Sequence, residues 1–375
     1  MKMGQWNEKQ IEELLTRMPK PNDDRSLQEV YQSIQKKMER KPQRMWILSG
    51  LASAAVALLL VVLALPLFPP EEKLEPSSAQ NQAGMEKGGQ PAVEVQKQNG
   101  QGIMVKPSLL KPEGKNYITV AAPDQSIQFV VPLTYMVKDE GDAIVQSIKK
   151  KAGELDEEKL GLSKNIIQDL NLMESQHLVK VTVEANHPYG IGSTAETMFI
   201  DSLEETFRWL PYDEVEFETD GRKGIRLGNT GELKTLPIHP ILRKAYLIYQ
   251  LDKDHPKLLA PTHESYKTFG EAMEAMKKDD ELDKLHASIP DDVKIEKIKS
   301  DETHLIIRFS NDTKLRNEEQ YVYMLHAIML TARDFGYKSI KFEGGTIDKV
   351  GDIRLQERYT VPAAPNVITP KNEER

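Results

Sequence analysis

The sequence predicts an α+β protein in four parts: a short cytoplasmic helical segment, one transmembrane helix, a linker, and two tandem extracellular α+β repeats. Three observations predict it. Residues 45–68, MWILSGLASAAVALLLVVLALPLF, contain no charged side chain. Two Pro-bounded amphipathic stretches precede that run, and beyond residue 113 the chain passes twice through the same order of strands and helices.

In the first 44 residues, Asn7 and Gln10 have capping-box spacing ahead of Ile11, Leu14, Leu15 and Met18, a stripe along one helix face. Pro19 and Pro21 end that helix. Ser26 and Glu29 cap a second one, with Leu27, Val30, Tyr31, Ile34 and Met38 on one face and Pro42 as its stop. Two helices of this size fall below what a lone core normally holds together. Their stripes therefore need another surface, and a groove on a cytoplasmic protein fits better than a lipid surface, because Glu8, Glu12 and Glu13 sit on helix one. Burying roughly ten such side chains contributes on the order of 15 kcal/mol before association costs.

The uncharged run, 24 residues of mostly Leu, Val and Ala, is long enough to cross a hydrocarbon core about 30 Å thick. It is too long for the apolar part of a signal peptide and ends in Pro66, Pro69 and Pro70 rather than a cleavage site. Lys36, Lys37, Arg40, Lys41 and Arg44 before it, against Glu71, Glu72 and Glu75 after it, place the N-terminus in the cytoplasm and the large remainder outside. Residues 69–112, rich in Pro, Gln, Gly, Ser, Lys and Glu, read as a flexible tether and a place for a regulatory protease to cut.

From Tyr117 the texture changes. YITVAAPDQSIQFVVP (117–132) lies over YLIYQLDKDHPKLLAP (246–261) without a gap at an offset of 129. The same offset carries Gly141 and Ala143 onto Gly270 and Ala272 at a helix start. LVKVTV (178–183) then matches LIIRF (305–309), Ile200, Leu203, Phe207 and Leu210 match Leu325, Ile328, Ala332 and Phe335, and VEF (215–217) matches IKF (340–342). Each copy reads strand, strand, helix, strand, long helix, strand, with helices over one face of a sheet. The expected domains are residues 113–240 and 241–362, each with its own core, followed by a loose tail over 363–375.

Composition narrows the chemistry. Residues 1–45 hold ten Lys and Arg against seven Asp and Glu, a charge of +3 within a total of −8, so the remainder carries −11. An acidic exterior argues against direct nucleic-acid binding. The absence of cysteine excludes disulfides and thiolate zinc sites. The eight histidines, among them His177 and His304 at corresponding places before a strand, show no metal-ligand spacing. HPYGIGS (187–193) lacks the Lys-Ser/Thr of a phosphate loop, and Gly190 and Gly192 suit a strand-to-helix turn. Asp156, Glu157 and Glu158, like Asp279, Asp280 and Glu281, read as solvated faces. No cofactor or metal is expected and no catalytic set emerges.

The opening WNEKQIEELLTRMPKPNDDRSLQEVYQSIQKKM, the span and the paired repeats together resemble bacterial anti-sigma factors, in particular those that restrain the extracytoplasmic-function factor sigma-X. The outer repeats resemble GerMN domains, named from spore-germination proteins. The resemblance implies a negative regulator of transcription that sequesters an extracytoplasmic-function sigma factor at the membrane and releases it on an envelope signal. Many relatives carry a His-x3-Cys-x2-Cys zinc motif in the cytoplasmic part, which this chain lacks. The sigma-facing residues expected here, Ile11, Leu14, Leu15, Met18, Leu27, Val30, Tyr31, Ile34 and Met38, therefore rest on helical periodicity. The alternative is a membrane-anchored envelope or germination protein whose outer repeats bind cell-wall glycan or a protein.

Overall fold

The computed structural model describes residues 103–110, 116–137, 143–280 and 284–370. The chain divides into two units, residues 1–86 and 87–375, and every described residue lies in the second. The span expected at 45–68 and all nine sigma-facing residues lie outside the described residues. No helix among the described residues is long and apolar enough to cross a membrane.

The first half runs β1 (Ile103–Leu109), β2 (Asn116–Pro123), β3 (Val130–Val137), α1 (Ile144–Glu154), α2 (Glu157–Leu160), β4 (Asn171–Ser175), β5 (Leu178–Val183), α3 (Ser193–Phe207) and β6 (Glu214–Thr219). Short strands follow, β7 (Arg222–Lys223), β8 (Ile225–Leu227), β9 (Gly231–Leu233) and β10 (Thr235–Pro237). The second half runs β11 (Lys244–Tyr249), β12 (Leu258–Ser265), α4 (Phe269–Ala275), β13 (Leu285–His286), β14 (Ile295–Ser300), β15 (His304–Phe309), α5 (Glu319–Asp334) and β16 (Ser339–Glu343). It closes with β17 (Lys349–Val350), β18 (Ile353–Arg354), β19 (Arg358–Thr360) and β20 (Ala364–Pro370). The described part is thus mixed α+β.

Alternation fixes the two sheets that match. In β5, Val179, Val181 and Val183 are buried while Lys180 and Thr182 between them are partly exposed. In β15, Leu305, Ile307 and Phe309 do the same. Each strand runs parallel to its partner, β5 with β6 and β15 with β16, so α3 and α5 are crossover helices between parallel strands. The sheet orders are β10-β6-β5-β4 and β14-β15-β16-β19.

The repeat is real, but the ungapped offset of 129 does not hold for its first strand. Ten residues separate the paired Ala121 and Pro132, whereas fourteen separate the paired Tyr246 and Pro261. The second hairpin therefore has a longer loop, and Ala121, not Tyr117, corresponds to Tyr246. Side-chain bonds agree: the Ala121 amide donates to Thr206 Oγ1 at 3.0 Å and the Tyr246 amide to Thr331 Oγ1 at 3.1 Å. An error of four residues preserves the face of every side chain, because a strand has period two, and so it leaves the apolar pattern intact. The histidine match fails similarly. Asp213 N donates to His177 O while Lys338 N donates to Thr303 O, which makes Thr303 the counterpart of His177. Gly141 lies outside the described residues.

Nor does each copy close a core of its own. Leu247, Tyr249, Leu258 and Ala260 pack into the first repeat's core, while Ala245, Tyr246 and Leu259 from the same hairpin pack into the second's. A hairpin apolar on both faces lies between two cores, which is why YLIYQL and LLAP read as unbroken apolar runs.

Two segments expected to be loose are strands. β1, in the stretch read as tether, pairs antiparallel with β20, in the stretch read as tail. The ladder skips the Pro107–Asn366 position, where proline has no N–H to give. β20 in turn runs parallel to β3, giving the sheet order β1-β20-β3-β2. Asn366 joins this sheet to β12: its Nδ2 donates to Pro132 O (2.9 Å) and Leu259 O (2.8 Å), and its Oδ1 accepts from Leu259 N (2.8 Å). Each strand alone is short and proline-containing, and only the long-range pairing satisfies its backbone.

Candidate functional site

The HPYGIGS segment forms the loop between the carboxyl end of β5 and the start of α3, the position at which parallel βαβ units present a crevice. Gly190 and Gly228 pass each other closely there. A Cβ on Gly190 would meet Arg226 O at 2.9 Å, and one on Gly228 would meet Gly190 O at 2.8 Å, so neither position accepts a side chain. Glu196 holds the facing loop, its carboxylate accepting from Asn229 N (2.7 Å), Thr230 N (2.9 Å) and the Thr230 hydroxyl. The Thr230 hydroxyl, then the backbone donors, keep that carboxyl below its ordinary range.

The loop's aromatic residues stack inward. Tyr189 lies over Phe199 at 4.3 Å between centroids and 17° between planes, and His187 over Tyr189 at 5.6 Å and 16°. Phe199 is fully buried and anchors the stack. Burial lowers the His187 pKa, so the neutral ring is favoured, and burial raises that of Tyr189. Beside the stack opens a cleft of about 520 Å³, lined by Asn171, Thr182, Glu184, Asn186, His187 and Asp220, with Asp169, Val183, Pro188 and Tyr189 completing it. Asp169 is paired with Lys164 at 2.9 Å. His187 Nδ1 is shut from solvent and has no hydrogen-bond partner among the described residues.

A second polar constellation joins the repeats. Arg208, fully buried, donates through Nε to Glu205 (2.8 Å), through Nη1 to Asp334 and through Nη2 to Tyr246 Oη (2.7 Å). Its guanidinium lies 4.3 Å from the Trp209 ring centre, and that of Arg333 lies 4.1 Å from the same ring. Burial acts to lower the Arg208 pKa, and Asp334 and Glu205 more than reverse it. For Arg333 the balance is the reverse: burial, then the Arg208 charge, lower its pKa by more than Tyr246 and Asp334 raise it. On α3, burial and then the Glu205 carboxylate push Glu204 up to about 7. Nothing in the spacing of these residues announced the junction; the signal was Arg208 and Arg333 at the same place near the ends of matching helices, an offset of 125 rather than 129.

The carboxylates read as solvated faces are partly employed. Asp156 caps α2 by accepting from Lys159 N (3.3 Å), Glu157 accepts from Asn165 N (3.0 Å), and Asp279 accepts from Ala287 N (2.8 Å). No group of three or more His, Asp or Glu residues among the described residues is placed to hold a metal ion.

With this geometry in hand, the likeness to known proteins becomes specific. Residues 111–236 match the family model described as the Anti-sigma-X factor RsiX central domain, which coincides with the repeat that carries the cleft. A solved structure, the tandem GerMN domains of the sporulation protein GerM from Bacillus subtilis, covers 67% of this chain and 99% of its own, at 16% identity and a TM-score of 0.48. The Anti-sigma-X factor RsiX of Bacillus subtilis (strain 168) is 26% identical over 376 residues, 98% of this chain and all of the relative. Over 98% of its length the chain is similar to an anti-sigma-X factor, and its residues 111–236 match that family's central domain.

Proposed function

We propose that this protein is a membrane-tethered anti-sigma factor that holds an extracytoplasmic-function sigma factor idle on the cytoplasmic side. The observation that carries the reading is the similarity to RsiX over 98% of the chain, a span that takes in the N-terminal 44 residues as well as the repeats. Those residues hold two amphipathic stripes that a lone pair of helices cannot bury. In this reading Ile11, Leu14, Leu15 and Met18, with Leu27, Val30, Tyr31, Ile34 and Met38, fill grooves on sigma. Residues 45–68 cross the membrane, and the acidic repeats face outward and receive an envelope signal that ends the sequestration. The protein acts by binding, with no chemistry of its own.

The test is transcriptional. Deleting residues 1–44 from the chromosomal copy is expected to raise expression from promoters of one alternative sigma factor, and restoring the intact chain is expected to silence them. Replacing the segment by an unrelated basic anchor and seeing those promoters stay silent would refute the proposal and favour an envelope protein with an inert anchor.

A further inference from the structure

We propose that the cleft between the HPYGIGS loop and the carboxyl ends of β5 and β6 is a binding site for a neutral glycan that carries hydroxyl and acetamido groups. Charge removes most other ligands. Among the described residues no Lys or Arg lines the cleft, while Asp169, Glu184 and Asp220 do, so phosphates, nucleic acids and acidic polymers are repelled. The geometry of the carboxylates does not suit a metal ion. Apart from Val183, Pro188 and Tyr189 the lining is polar, which disfavours a hydrocarbon ligand.

The surviving lining supplies donors and acceptors together. The side chains of Asn171, Thr182, Asn186 and Asp220 line the cleft without engaging one another, so their hydrogen-bonding capacity is directed at solvent or a ligand. Amides and a hydroxyl both give and accept, and carboxylates accept, which matches sugar hydroxyls and N-acetyl groups; an amine ligand has use only for the acceptors. The imidazole of His187, held in place by its stack on Tyr189 and Phe199, adds a rigid aromatic wall.

The second repeat shows what the same place looks like when it is closed. The loop after β15 is tied down by Ser310 N to Lys294 O (2.8 Å) and Lys294 N to Thr313 Oγ1 (3.0 Å), and Leu315 from that loop is buried in the core. Gly344, after β16, lies so near Phe309 that a Cβ would come within 2.3 Å of its carbonyl oxygen. An open, polar strand end in one repeat and a sealed one in the other mark the first as the binding copy. That such a glycan is within reach rests on the outward placement proposed above; binding itself does not.

The full chain in detergent micelles, titrated calorimetrically with the N-acetylglucosamine tetramer, tests this. Saturable binding is expected, weakened about tenfold or more by Asp220→Asn and by His187→Ala, and unchanged by Asp312→Asn in the second repeat's loop. Should His187→Ala unfold, Asn186→Ala decides, since that side chain is exposed and its loss leaves the fold alone. No saturable binding at millimolar tetramer, equal binding by all variants, or binding of spermidine in place of the sugar overturns the proposal. Sigma capture measured on the same preparation separates the two readings: capture without glycan binding defeats only this inference, and glycan binding without capture defeats only the regulatory one.

Discussion

The two crossover helices occupy equivalent places and are buried differently. α5 buries 13 of its 16 residues, while α3 buries 8 of 15. The difference comes from what covers the far side. β1 packs against α5, so positions that on α3 hold Asp201, Glu204 and Glu205 hold His326, Met329 and Leu330 on α5. A strand from the stretch read as tether therefore converts the second helix from amphipathic to nearly all-buried. The surface follows the same asymmetry: the sealed repeat supports the seam with β1 and β20, and the repeat with the open strand end carries the cleft.

The largest effect expected is at the junction, where the two arginines stand at matching positions. Arg208→Ala leaves Asp334 buried without its ion partner and Glu205 with only Lys244 Nζ at 3.6 Å, which costs about 3–5 kcal/mol. Arg333→Ala removes a buried charge whose Nη1 has no hydrogen-bond partner among the described residues and whose burial outweighs its attraction to Asp334, so urea unfolding is expected to show a clearly smaller loss. Equal losses would deny the asymmetry.

Next comes acid. His326 is fully buried, its Nδ1 2.7 Å from Ser108 Oγ on β1, and burial lowers its pKa to about 4 against an ordinary 6.5. The unfolded chain takes up a proton that the folded one refuses, so stability is lost as pH falls below about 6.5 and through 4, by up to about 3 kcal/mol. Melting temperatures of wild type and His326→Gln across that range check this, the variant being expected to lose the slope that His326 contributes.

Gly344→Ala, which forces a Cβ against Phe309 O, is expected to cost about 1–3 kcal/mol. Thr219, its counterpart beside the open cleft, is expected to accept Ala with a smaller loss. Comparing the two chemical-denaturation midpoints sharpens the contrast between closed and open strand ends.

The smallest effect concerns Glu204, whose pKa of about 7 exceeds the ordinary 4.5 but whose side chain is only partly buried, so solvent screens its contribution. Here the folded state binds the extra proton, so stability declines as pH rises from about 4.5 to 7 and then levels. Glu204→Gln is expected to flatten that decline, the reverse of the slope removed at His326.

Much of this was legible in the chain. The two βαβ units, the buried faces Val179, Val181, Val183 and Leu305, Ile307, Phe309, and the loop at HPYGIGS follow from local alternation and helical spacing. The hairpin register did not, because a shift of four residues leaves a period-two pattern unchanged. β1 and β20 were hidden for another reason: IMVKPSL and APNVITP contain breakers and short apolar runs, and their strand character comes from each other across more than 250 residues. The cleft was half visible. The glycines marked a turn, but Asn171 on β4 and Asp220 in the turn after β6 are brought to it only by the fold.

The regulatory account turns on what the first 44 residues touch. A photo-crosslinking residue placed at Leu15 or at Ile34 of the full chain in living cells reports that directly. The account predicts one dominant adduct, an alternative sigma factor, from both positions, disappearing when the cells are induced. Adducts with lipid alone, or with no sigma factor from either position, would contradict it.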